Sequence, residues 1–301
     1  MQWFGDVPSP SMHIYMFGDI GGHFDPFMKA LRKIGVDTNV AALPEDVCVI
    51  QVGDLVHRGP KSDELVEWVD AALDNNKRDD CGTWVQLLGN HEGHHIGGPK
   101  FSQTVKGQHV EWELGKKAEN TLRKWHGSGK AHMAAAVLRT DTDKPRDMLI
   151  THAGLCFQTW AGMGFPKGAR DTALHLNSQP LKLAFAPGWL LGGYMKMRDG
   201  NMQPPGVAWA SAAKEVYPSL LSRHMGFDQV HGHSTLYNWF SQDWYCDSDI
   251  SLGIDRWAAK RFTRWTTPFN EKLYCIDQGL GGKDPYFDIV PLHVEGRLLE
   301  P

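Results

Sequence analysis

Five short segments of this 301-residue sequence place Asp, Asn or His directly after a run of apolar residues. They are GDIGGH (Gly18–His23), GDLVHRG (Gly53–Gly59), GNHE (Gly89–Glu92), THAG (Thr151–Gly154) and HGHS (His231–Ser234). Carboxylate, amide oxygen and imidazole are together the donors a divalent transition metal accepts. Two such ions, held about 3.5–4 Å apart by a bridging carboxylate, can activate a water and hold both oxygens of an in-line displacement at phosphorus. A His outside the metal shell can protonate the departing oxygen, and an Arg can clamp phosphoryl oxygens with two parallel hydrogen bonds. The small residues beside these groups let the backbone turn sharply and leave room for an anion. Each segment alone is weak, since Gly-Asp after a strand is more often a turn and a single buried His more often a satisfied core residue. Five in order, each at a strand end, argue for one site.

Those ends belong to a recurring element pattern. His13–Phe17 reads as a strand, Asp25–Ile34 as a helix with Phe27, Leu31 and Ile34 on one face, and Val47–Val52 as a strand buried on both sides. Asp63–Leu73 has helical spacing. Trp84–Leu88, Met148–Ile150 and Asp228–Val230 read as further strands, with Lys272–Ile276 and Tyr286–Leu292 closing the series. Open α/β sheets place ligand sites at the carboxyl ends of such strands. Lys100–Arg139 reads as mostly helical, and Phe157–Met225 is rich in Gly and Pro with a helix around Ala210–Val216. The economical architecture is one α/β domain over 1–301, with helical insertions at 100–146 and 157–226.

Composition narrows the class. A net charge of −4 and a pI of about 6.4 do not suggest a counterion-releasing nucleic-acid binder, though they leave a local basic groove open. The five cysteines form no CxxC pair, and the odd count argues for a reducing compartment. No window approaches the roughly 18 apolar residues that span a bilayer. The expectation is a cytoplasmic protein without a membrane partner.

In this order the five segments resemble the calcineurin-like metallophosphoesterases, most closely the serine/threonine-phosphatase-like branch with its bacterial and phage relatives. That branch carries GDxHG, GDxxDRG, GNHE, HxG and GH[ST]. The likeness runs from about Ile14 to Val290 and includes CIDQGLGG (Cys275–Gly282), similar to the segment that closes the family's fold. It implies an αββα sandwich of two mixed sheets flanked by helices, and two divalent ions, Mn2+ first with Fe or Zn as alternatives. Carried over by position, Asp19 binds the first metal, Asp54 bridges, and Asn90, His152 and His233 complete the second. His91 is then the general acid and Arg58 a phosphate contact. His231–Gly232–His233 also has the HxH spacing of relatives that put one His on each metal, His231 on the second and His233 on the first.

Two positions depart from the pattern. Gly21 stands where GDxHG has its His, and His57 replaces the second Asp of GDxxDRG, which in the family orients the catalytic His. His57, His23 or His233 is therefore expected to supply the missing imidazole. The implied reaction is hydrolysis of phosphate mono- or diesters by in-line attack of a metal-bound hydroxide. The substrate would be a phosphorylated small molecule, a nucleotide or RNA end, or a phosphoprotein. The alternative is a non-catalytic phosphate-binding or scaffold protein on the same fold.

Other residues read more plainly. His94 and His95 are polar loop residues, and Lys100, Lys106, Lys116 and Lys117 a solvated face. Trp189, Trp209, Trp239 and Trp244 are core or pocket walls. GDIGGH lacks the GxGxxG spacing of a dinucleotide-binding turn.

Overall fold

A computed structural model describes residues 11–98, 103–105, 108–110, 113–185, 195–196, 202–203, 205–279 and 288–300. Lys100, Lys106, Trp189, the first ten residues, Leu280–Gly282 and the start of the Tyr286–Leu292 segment lie outside them.

Eleven strands form one mixed sheet: β1 (Met12–Phe17), β2 (Val47–Gln51), β3 (Thr83–Leu87), β4 (Ala131–His132), β5 (Ala134–Arg139), β6 (Arg146–Thr151), β7 (Asp228–His231), β8 (Ile254–Trp257), β9 (Phe262–Thr266), β10 (Lys272–Cys275) and β11 (Leu292–Glu300). The hydrogen-bonded order is β8-β9-β10-β7-β6-β5-β11-β1-β2-β3-β4. Two parallel groups carry the site: β1, β2, β3 and β4 on one wing, β6, β7 and β10 on the other. Between them β11 pairs antiparallel with both β1 and β5.

The wings close on each other. Ile14, Met16, Cys48, Ile50, Val85 and Leu87 of the first pack in one buried cluster with Met148, Ile150, Val230 and Tyr274 of the second and Val137 of β5. A second, larger cluster joins the opposite faces to the helices, through Phe27 and Leu31 of α1 (Phe24–Lys33) and Leu65, Val66 and Val69 of α2 (Ser62–Asn75). Sheet packed on sheet with helices outside is the αββα layering expected from the resemblance, its two layers joined here by the ladder through β11.

The segment 100–139 differs from its mostly helical reading. After α3 (Lys116–Ser128) it enters the sheet as β4 and β5. Ala134, Ala135 and Ala136 favour a helix by propensity but are completely buried between layers, where small side chains fit and ladder pairing decides. Likewise residues 288–291 lie outside the closing strand, which begins at Leu292, and β8 and β9 carry no strong alternation. No helix among the described residues is long and apolar enough to cross a membrane.

Candidate metal centre and anion clamp

Six strands deliver the site from their carboxyl ends. β1 leads to Asp19, β2 to Asp54, β3 to Asn90, β6 to His152, β7 to His233 and β10 to Asp277. Main-chain bonds lock the loops together. Ile20 and Gly21 donate to the Asp54 carbonyl at 3.0 and 2.8 Å, and Gly22 to that of Leu55 at 2.8 Å. Gly232 donates to His152 and Ile276 to His231, both at 2.8 Å. Gly22 has φ +77°, and a β-carbon there would stand 2.6 Å from the Gly59 carbonyl oxygen, so only glycine allows this crossing.

Glu92, the last residue of GNHE, clamps two of these loops. One carboxylate oxygen accepts from the Gly89 and Asp54 amides at 2.8 Å, the other from Leu55 at 2.8 Å and Val56 at 3.3 Å. Burial and the neighbouring Asp54 charge raise its pKa to about 7, against the pull of these donors.

At the centre the side chains present lone pairs to one another. Asn90 Oδ1 lies 3.1 Å from His152 Nε2 and 3.0 Å from His233 Nδ1. The same amide atom lies 3.2 and 3.3 Å from the two Asp54 oxygens. His152 Nε2 is 3.3 Å from Asp54 Oδ1, while its Nδ1 lies 3.0 Å from the Val52 carbonyl. Nδ1–H therefore donates to Val52, and Nε2 faces the cluster as a lone pair. With the amide oxygen inward, lone pairs of Asp54, Asn90 and His152 converge as around a cation, and His233 Nδ1 joins them in the tautomer that keeps its proton on Nε2. With the nitrogen inward, the two amide hydrogens would instead be shared among acceptors on Asp54, His152 and His233.

Asp19 and Asp54 are buried beside Asp277. Burial raises Asp54 to about 7. It holds Asp19 well above the usual carboxylate range, with the charges of Asp277 and Asp54 adding. Asp19 Oδ1 accepts from the His233 amide at 2.9 Å, whereas its buried Oδ2 has no hydrogen-bond partner. Three carboxylates with an orphaned oxygen are costly without a compensating cation, so this half of the site also fits a divalent metal. Burial works against the Arg58 charge, but Asp54, Asp19 and Asp277 outweigh it and hold the guanidinium protonated. Asp54, His57, Arg58 and His233 all have φ between +53° and +73°, the left-handed strain that clusters at functional loops.

His91 and His57 meet behind this centre. His91 Nε2 stands 3.8 Å from Asp54 Oδ2 and its Nδ1 is 2.7 Å from His57 Nδ1. His57 Nε2 is in turn 2.8 Å from His95 Nε2. Burial holds His57 down at about 3, with His95 and His94 adding, and holds His91 well below its ordinary value, with Arg58 and His57 adding.

The expected residues thus divide. Asp54, Asn90, His152 and His233 come together, with Asp19, His91 and Arg58 at the margin. His57, expected as a metal ligand, has both ring nitrogens on imidazoles instead. His231, the rival to His233, has Nδ1 2.9 Å from the Gly232 carbonyl and Nε2 3.1 Å from the Tyr217 hydroxyl, so its ring is committed away from the cluster. His23 sits at the start of α1, its amide donating to Ile20, outside the donor group of Asp54, His152 and His233. His95 belongs to the imidazole chain rather than to a polar loop, Lys117 pairs with Glu67, and the Trp209 ring lies 6.0 Å from that of His233. Asp277 and Glu92 were missed as site residues. The aspartate within CIDQGLGG, after an apolar strand, was the available signal for the first.

Fold and site define a class: a two-layered α/β protein that gathers carboxylate, amide and imidazole donors beside an arginine. The chain belongs to the calcineurin-like phosphoesterase family, whose description matches residues 12–182. It is 33% identical over 79 residues to a zinc-dependent endopolyphosphatase of Saccharomyces cerevisiae, covering 26% of this chain and 20% of that one. It is 40% identical over 83 residues to a symmetrical bis(5'-nucleosyl)-tetraphosphatase of Chromobacterium violaceum, covering 28% and 25%. The matches span about a fifth to a quarter of the length of these curated relatives. A cold-active protein tyrosine phosphatase of a psychrophilic Shewanella shares 15% identity with a TM-score of 0.47 over 90% of this chain and 72% of the other.

Proposed function

We propose that this chain is a metal-dependent hydrolase of phosphate mono- or diesters. The observation carrying it is the convergence of Asp54, Asn90, His152 and His233 on one point, which an inward Asn90 amide oxygen would make a cation shell. Divalent ions bound there would supply Lewis-acid charge and an acidified water. Asp54, Asn90, His152 and His233 would hold one such ion, and Asp54 with Asp19 and Asp277 would hold a second. In this reading Asp277 makes up with a carboxylate for the imidazole that Gly21 does not offer.

The remaining groups act on the substrate. Arg58 takes the phosphoryl oxygens, its charge already held by three carboxylates. His91 gives the proton on Nε2 to the departing oxygen. Burial favours its neutral form, and a negative phosphate beside it raises its pKa. His57 orients it through Nδ1, a task a neutral imidazole can do because it offers one donor and one acceptor.

The relatives' names concern polyphosphate and bis(5'-nucleosyl) tetraphosphates, so phosphate–phosphate bonds belong in the same test. The assay is turnover of p-nitrophenyl phosphate, its bis ester and bis(5'-adenosyl) tetraphosphate with Mn2+ or Zn2+, then with EDTA. Metal-dependent release on at least one is expected. Well-folded protein inert on all three overturns the enzyme reading in favour of the phosphate-binding one, which Gly21 favours.

A further inference from the structure

A second group of donors lies outside this site, at the start of β1. The register of β1 and β11 places His13 opposite Glu295 and Tyr15 opposite His293. Alternation along a strand puts all four side chains on one face, with His13 and His293 as diagonal neighbours. His13 Nδ1 is 2.6 Å from Glu295 Oε1 and 3.3 Å from His293 Nε2, and His293 Nε2 is 3.3 Å from the same Glu295 oxygen. Three donors on three residues thus form a small triangle. Bonds of about 2.0–2.1 Å to a tetrahedral zinc imply edges of about 3.3–3.4 Å. Two edges have that length, and the third is a direct contact that an inserted ion would widen.

The surroundings favour a cation. Asp46 Oδ2 stands 3.7 Å from His13 Nε2 and adds negative charge beside the trio. The Tyr15 ring stacks on His293 with centroids 4.5 Å apart and planes 20° from parallel, which fixes the direction of Nε2. The side chains of His13, His293 and Glu295 are 35–45% exposed, so an ion can enter without unfolding.

We propose that His13, His293 and Glu295 bind a Zn2+ ion that ties β11 to β1, separately from the site built on Asp54. The two sites share no residue, since His13 opens the strand whose far end leads to Asp19. Two imidazoles and one carboxylate select a transition-metal ion over Mg2+ or Ca2+. A ligand held only by the native pairing of these strands also stabilises it.

The test uses the full chain, stripped with chelator and titrated with Zn2+ by calorimetry, with Co2+ absorption as a readout of tetrahedral geometry. Wild type is expected to take up one equivalent more than His293→Ala or His13→Gln, with affinity at that site falling by more than about 100-fold. Asp54→Asn should lose active-site metal and keep this equivalent. Unfolding of the metal-free variants, followed by circular dichroism, separates lost binding from lost fold. Equal uptake by wild type and a folded His13→Gln overturns the proposal and leaves the trio an ordinary hydrogen-bonded surface cluster.

Discussion

At the scale of single residues, the chain His91–His57–His95 distinguishes this site from its family pattern. An imidazole can replace a carboxylate as an orienting partner, but it brings no negative charge. His91→Ala should lower kcat by about 10²–10⁴-fold while leaving metal content unchanged, since its Nε2 serves the leaving oxygen. His57→Ala should lower kcat by less, about 10–100-fold, again with full metal content. Loss of metal from His57→Ala would instead make it a ligand. The buried carboxylates give a second prediction. The folded pKa values of Asp54 and Glu92 are raised to about 7 from ordinary values of 3.8 and 4.5. In metal-free protein this favours the fold fully below about pH 4, and the contribution is lost as pH rises to 7. Added metal requires the ionised carboxylates and reverses the trend above 7. With EDTA, the Tm of wild type should therefore fall relative to that of Asp54→Asn between pH 5 and 7, a comparison in which the buried histidines cancel, and the Tm gained by wild type from Mn2+ or Zn2+ should grow.

At the scale of elements, the positions of Asp54 and Asn90 depend on a carboxylate that touches neither substrate nor metal in the proposed arrangement. Glu92 gathers four amides from the loops after β2 and β3. Glu92→Gln keeps the volume but turns an amide donor towards amide donors. Bonds to a charged acceptor contribute about 1.5–3 kcal/mol each, so denaturant unfolding should report a loss of at least that order. Metal affinity should fall with it, because Asp54 and Asn90 lose their common anchor.

At the scale of the molecule, β11 carries a disproportionate share. It pairs with β1 and β5 and so joins the wing that delivers Asp19, Asp54 and Asn90 to the wing that delivers His152, His233 and Asp277. Leu292 and Val294 are buried between the layers. Removing residues 292–300 should therefore abolish cooperative unfolding and soluble expression rather than merely reduce activity. A truncated chain with a sharp thermal transition would contradict this.

Much of the site could be read from residue types alone, because metal-capable groups after apolar strands are a local pattern. Asp19, Asp54, Asn90, His152 and His233 each follow such a run, and the strands that carry them and the first two helices were legible as apolar runs and helical periodicity. Ring direction is not local. Whether His231 or His233 enters the cluster depends on which one the turn after β7 aims inward, and the Tyr217 hydroxyl that takes His231 is distant in sequence. The partners of His57, the approach of Asp277 to Asp19 and the four donors of Glu92 arise only when two parallel groups of strands meet. Alanine-rich β5 likewise became a strand because the layers closing around it left room for small side chains and offered ladder partners. The sequence by itself determined Asp19, Asp54, Asn90, His152 and His233 and the strands that carry them; tertiary packing brought Asp277 beside them and decided which donors face one another.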